Sequence, residues 1–169
     1  TLSLSPDLEA GDFAAFEPQA RDVMKDRSES IVLVDEQRQR IHTRAPVGAP
    51  LPPSHSPASA WKALREGRTT VSNLGVGQVV NRPIVAIDMP IVINGKLYSL
   101  SHIQEPAAFE SIFRSQDLPG SWTGGILDRE ARIVARSREG DKMRGRQATA
   151  DMRAAMAKSS EGVVLTHTL

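Results

Sequence analysis

The sequence predicts an α+β protein, antiparallel strands with helices laid over them, and three observations carry that prediction. Two stretches repeat: IVLVDEQRQRIHTR, residues 31–44, and GGILDREARIVAR, residues 124–136. Asp35 aligns with Asp128, Ile41 with Ile133 and Arg44 with Arg136. Each copy reads as an apolar strand, a polar turn opened by Asp, and a second strand, which is the internal similarity to look for first. The second observation is Asn94-Gly95 between two strand-like runs, Pro83 to Ile93 and Lys96 to Gln104. Asn-Gly suits a two-residue hairpin turn, because both central residues need positive φ. The third is the apolar spacing of Phe13, Phe16, Ala20, Val23 and Met24, which fits one face of a helix.

In chain order, Ser5-Pro6 and Asp12 are helix-start signals, and a helix is expected from about Asp12 to Asp26. Ile31 to Val34 is β-branched, Asp35 to Arg38 turns, and Arg40 to Ala45 returns as a strand. Residues 46–57 hold six prolines or glycines and read as a loop long enough to cover something. A short helix is expected over Ala58 to Glu66, then short strand or bridge at Thr69 to Leu74 and Gly77 to Asn81. After the hairpin, Pro106 opens a helix to about Ser115, with Phe109, Ile112 and Phe113 on one side. Leu118 to Ser121 links to the second copy, which begins at Trp122. Asp141 to Gln147 reads as loop, Ala150 to Lys158 as helix, and Val163 to Leu169 as strand. More strands follow Asp35 than follow Asp128, so two tandem modules are expected, the second incomplete within this chain. The order in the first is PAS-like: helix, two strands, loop and helix, three strands, helix.

Composition narrows the function classes. The chain has 169 residues, 40% hydrophobic and 24% charged, ordinary for a globular protein of one or two domains. A net charge of +1 and 4% aromatic residues argue against nucleic acid as a partner. The arginines between Arg129 and Arg153 alternate with acidic residues and read as a solvated face. With no cysteine, disulfides, Cys-ligated zinc and thiol catalysis are excluded, which fits an oxidising compartment. No window approaches the ~18 apolar residues of a membrane span. Starting at Thr1, without methionine or a signal-peptide pattern, the chain is expected to be a soluble piece of something longer. No Gly-x-Ser-x-Gly, Walker loop or His-Glu-x-x-His occurs, so no catalytic residue is assigned.

Four strings together resemble a known family: SPDLEAGDFAAF, VLVDEQRQRIHTRAPVGAPLP, VSNLGVGQVVNRPIVAIDMPI and WTGGILDREARIVARS. They look like the extracytoplasmic double Cache, or tandem PAS-like, sensor region of bacterial sensor histidine kinases. The resemblance implies a leading helix and membrane-distal module over residues 1–118 and a membrane-proximal module over 119–169. It implies a small-molecule ligand, a homodimer, no cofactor, and membrane contact only through flanking segments outside this chain. It also implies a cytoplasmic kinase elsewhere in the protein, while a cyclase or chemoreceptor body is the alternative output. The amino-acid-binding subgroup carries a Tyr, Arg, Trp and Asp pattern that is not placed here, so the ligand class stays open.

The Asn94-Gly95 turn sets the hairpin register, pairing Ile93 with Lys96 and Asp88 with Ser101. One face then collects Val85, Ile87, Met89, Ile91, Ile93, Tyr98, Leu100 and His102, and is assigned to packing against the leading helix. His102 is expected there as a satisfied core histidine. The other face centres on Asp88, Ser99 and Ser101. Either it lines a ligand pocket under the proline-rich loop, with Asp88 pairing an amine, or it is a solvated sheet face. Arg44 and Arg82, near strand ends, are candidates to meet a carboxylate, with a surface ion pair as the alternative. Trp61 is either a pocket wall or a packing residue. The four histidines have no metal-ligand spacing, and no metal site is assigned. A ligand-free dimerisation spacer or a docking module for a periplasmic protein is the competing function.

Overall fold

The computed structural model describes residues 2–24 and 28–165. Contacts divide the chain into two units, Thr1–Glu105 and Pro106–Leu169. The expected boundary at Leu118 thus falls inside the second unit, because the helix after Pro106 packs with the residues that follow it.

The first unit opens with a 3-10 turn, Leu2–Leu4, and two helices, α1 (Pro6–Ala10) and α2 (Phe13–Val23). Asp12 caps α2 by accepting from the Ala15 amide at 3.0 Å. Ser5 precedes α1 without capping it, and its hydroxyl instead donates to Gln19 at 2.8 Å. Helix α2 ends at Val23, short of the Asp26 expected, and Asp26 lies outside the described residues.

The strands are β1 (Glu29–Val34), β2 (Gln39–His42), β3 (Thr70–Val71), β4 (Gly75–Val76), β5 (Pro83–Ile93) and β6 (Lys96–Gln104). They form one antiparallel sheet in the order β2-β1-β6-β5-β3, with β4 also on β5. The β5–β6 hairpin has the register the Asn-Gly turn predicts, from Ile93 opposite Lys96 to Val85 opposite Gln104. Asn94 and Gly95 both take positive φ, 48° and 74°. Gly77 to Asn81, expected as strand, is a turn, and the bridging strand is one step earlier at β4.

The two faces of the sheet are covered differently. On one, Leu8 of α1 and Phe16 and Ala20 of α2 pack against Ile31, Leu33, Ile41, Ile93, Tyr98 and Leu100. Phe13 meets the Tyr98 ring edge-on at 5.5 Å between centroids. This is the assignment expected from the hairpin alternation. His102 shares that face but sits at its open end, one-third exposed, and is satisfied by Glu29 at 3.3 Å; it is not a core residue. On the other face, α3 (Ala58–Arg65) lays Trp61 and Leu64 over Val32 and Val34, flanked by Leu97 and Ile103.

The second unit contains α4 (Ala107–Ser115), the hairpin β7 (Gly125–Leu127) and β8 (Ile133–Arg136), α5 (Gly140–Met143) and α6 (Ala150–Lys158). Helix α4 is held to it by Glu110, bonded to Arg144 at 2.9 Å, and by Phe113, which leaves no room for a side chain at Gly124. The loop expected over Asp141 to Gln147 starts as the helical turn α5. The strand expected at Val163 to Leu169 does not form over residues 163–165, which are irregular, with Val163 and Leu165 fully exposed. Residues 166–169 lie outside the described residues.

The sequence repeat is a structural repeat. Asp35 accepts from the Gln37 and Arg38 amides, and Asp128 from the Glu130 and Arg132 amides, at 2.9–3.0 Å. Each aspartate so folds the turn with its own side chain. In both hairpins the register shifts beside the turn. In both, the returning strand is then met by a downstream segment, Arg38 by Pro53 and Arg132 by Gln147. The flanking bonds match as well: Gln39 N–H to Pro52 and Ser54 N–H to Gln37 in one, Ile133 N–H to Arg146 and Ala148 N–H to Ala131 in the other. A helix follows each bridge, α3 in the first unit and α6 in the second.

Candidate functional site

The face under α3 is polar where a sheet core is normally apolar. Val32 pairs with His42 on one side and Ser101 on the other, Ser101 pairs with Asp88, and Asp88 with Thr70. These five residues form one transverse row across the sheet, all side chains on the same face. Ser99 stands one step along β6, opposite Val34 and Pro90. Asp88, Ser99, Ser101 and His42 are all buried, at 6%, 1%, 3% and 6% exposure. The solvated-face alternative is therefore excluded.

Asp88 Oδ1 accepts from Ser101 at 2.5 Å and from Ser99 at a longer 3.4 Å, and the two hydroxyls lie 3.0 Å apart. Thr70 stands close enough to favour the charged carboxyl, but its hydroxyl makes no hydrogen bond of good geometry. Among the described residues no basic side chain forms a salt bridge with Asp88. Burial pushes its pKa up, and the bonds from Ser101 and Ser99, with Thr70 close by, only partly oppose that shift.

His42 was not singled out from the sequence, and neither was Thr70. Nothing local marks either; only the pairing of β2 with β1 and of β3 with β5 brings them into the row. Burial, with Arg44 and Arg21 nearby, lowers the His42 pKa to about 4, and its Nδ1 accepts from the Arg44 amide at 3.1 Å. His42 is thus a neutral imidazole at ordinary pH.

The other candidates divide. Arg44 is half-buried beside His42, at the β2 end of the row. Trp61 is 4% exposed and packs on Val32 and Val34. Arg82 stands apart, mostly exposed and paired with Glu105 at 3.4 Å. That position matches the surface ion-pair alternative. Among the described residues no group of His, Asp and Glu could hold a metal ion, and no helix is long and apolar enough to cross a membrane.

A second polar cluster sits on the α1–α2 side of the sheet. Asp35 is wholly inaccessible, although the cations over it are partly exposed. It accepts from Arg40 Nε and Nη2 at 2.8 and 2.6 Å and from Lys96 Nζ at 2.6 Å. Burial alone would raise its pKa; the bonds from Lys96, the Arg38 amide, Arg40 and the Gln37 amide outweigh burial and hold it well below the usual carboxylate range. Asp35 is a structural lock held by cations, whereas Asp88 is a buried carboxyl with hydroxyl partners only.

No protein-family model matches the sequence, and no curated protein matches it. Solved structures do match. The extracellular domain of rpHK1S-Z16, assigned as a histidine kinase, superposes with TM-score 0.64 at 13% identity, over 88% of this chain and 64% of that one. The ligand-binding domain of the Pseudomonas aeruginosa amino acid chemoreceptor PctC, in complex with GABA, gives 0.58 at 14%, over 86% and 65%. That of the Campylobacter jejuni chemoreceptor Tlp3, in complex with L-valine, gives 0.54 at 10%, over 93% and 63%. The chain spans about two-thirds of the length of these domains. At such identities the likeness is one of fold, and the fold of this chain is that of the extracellular sensor domains of histidine kinases and chemoreceptors.

Proposed function

We propose that this chain is the extracytoplasmic small-molecule-sensing input domain of a transmembrane signal-transduction protein, a two-component sensor histidine kinase. The chain itself carries no catalysis; the kinase, the membrane segments and the homodimer belong to the whole protein. The observation that carries the reading is Asp88, a buried carboxylate with hydroxyl partners and no counter-ion salt bridge among the described residues. Ionising a carboxyl in such a place is costly unless something cationic joins it. The ligand class is therefore an ammonium-bearing small molecule, an amine or an amino acid. Its ammonium would meet Asp88, and Ser99, Ser101 and Thr70 would supply further hydrogen bonds. Arg44, beside His42 at the other end of the row, would meet a carboxylate. Trp61, packed on Val32 and Val34, lies over the same face of the sheet. Binding shifts signalling only so far as one arrangement of the protein binds the ligand better than the other.

The test is a thermal-shift screen with amines and amino acids, since a ligand of the native state raises the melting temperature by mass action. The reading expects a saturable hit that Asp88→Asn abolishes while the variant stays folded. Unchanged affinity in that variant removes Asp88 from the site. A second reading, a ligand-free dimerisation spacer, is favoured by the mutual bonding of Asp88, Ser99 and Ser101 under a packed Trp61. It expects no shift with any of these compounds and a dimer in sedimentation. The PctC and Tlp3 domains also keep a chemoreceptor output as the alternative to a kinase.

A further inference from the structure

We propose that the second unit carries its own binding site for small polyanions, in the cleft lined by Arg114, Arg136, Arg138 and Trp122. The cleft measures about 410 Å³, within the range of small-molecule sites. Arg114 reaches it from α4, Arg136 from the end of β8, and Arg138 from the turn that follows. Among the described residues none of the three guanidinium groups forms an ion pair or a side-chain hydrogen bond. Three like charges around one space repel, and an anion between them relieves the repulsion.

Two carboxylates also line the cleft, and they do not neutralise it. Glu110 is committed to Arg144 at 2.9 Å. Asp117 is exposed on the rim, at φ 44° in the turn after α4. Nearby Glu139 is bonded to Lys142, and Arg136 acts on it only at longer range. The cleft therefore presents three cations against one uncommitted carboxylate.

The aromatic lining narrows the ligand. Trp122 is 65% exposed, and Phe113 is half-buried against Gly124. Guanidinium groups pair with carboxylate and phosphate oxygens in a two-point geometry, and the indole offers a flat apolar wall. The ligand chemistry is two or more anionic oxygens on a compact body, with a planar body preferred. This site is independent of the Asp88 reading, since every lining residue lies in the second unit and the charge preference is opposite.

The test is titration calorimetry of the chain with phthalate, citrate and inorganic phosphate at fixed ionic strength. Saturable binding of at least one is expected, weakened about tenfold or more in the double variant Arg136→Gln, Arg138→Gln. Trp122→Ala should weaken phthalate, and Asp88→Asn should leave all three unchanged. Absence of saturable heat with all three probes, or full affinity in the double variant, overturns the site. If the double variant fails to fold, Arg114→Gln, at an exposed position, gives the same reading.

Discussion

Asp88, Asp35 and His42 show how one sheet sets three titratable groups against their ordinary behaviour. Burial raises the Asp88 pKa, so the folded chain holds that proton more tightly than the unfolded chain does. Its contribution to stability is complete below the ordinary carboxylate pKa and is lost as pH rises through the raised value. Asp88→Asn, which keeps the size and an acceptor while removing the charge, should therefore melt higher than the parent at pH 7 and converge with it in acid. A lower melting temperature at pH 7 would show that the charged form is the one the fold accommodates. His42 works the other way. Its pKa falls from 6.5 to about 4, so the stability it supplies is present above pH 6.5 and drains away as pH falls toward 4. His42→Gln should flatten the pH dependence of melting in that window, whatever it does to the absolute value. Asp35 has a depressed pKa, and its contribution is lost only in strong acid. Asp35→Ala leaves the Gln37 and Arg38 amides without their acceptor and strips two cations of their partner. We expect a loss of about 2–3 kcal/mol in urea unfolding.

At the scale of elements, the repeated Asp turn and the Asn-Gly hairpin do most of the local specification. Gly95 has φ 74°, where an L side chain is strained, and open space around it. Gly95→Ala should cost about 1 kcal/mol through the backbone alone, measured by denaturant unfolding; a neutral result would mean the turn relaxes to another type. Asn94 also ties the hairpin to α1: its side-chain amide donates to the Ala10 carbonyl at 3.4 Å, and at Gly11 a Cβ would lie 2.7 Å from it. The Asn-Gly turn and the Asp-opened turns were readable from the residues, because they are local signals, whereas the tie from Asn94 to Ala10 joins residues distant in sequence. Bounds that depend on packing were less readable. Helix α2 stops at Val23, and α5 forms where only loop was expected.

For the whole first unit, ligand binding at the Asp88 row should be visible far from the carboxylate itself. Hydrogen exchange with a saturating amine or amino-acid hit is expected to slow at β5, β6 and α3 together, because the ligand would lie between the sheet and that helix. Protection confined to exposed loops would place the ligand elsewhere. The sequence by itself determined the long hairpin β5–β6, its register and hence the meeting of Asp88, Ser99 and Ser101, since alternation and a two-residue turn leave little freedom. It also determined the internal repeat. Only the tertiary structure decided that this face is buried under Trp61 and Leu64, that Arg82 is spent on Glu105, and that His42 and Thr70 complete the row. The reason is physical. Side-chain alternation is a property of one strand, whereas the order β2-β1-β6-β5-β3 and the cover over each face arise from contacts distant in sequence, for which no local pattern exists.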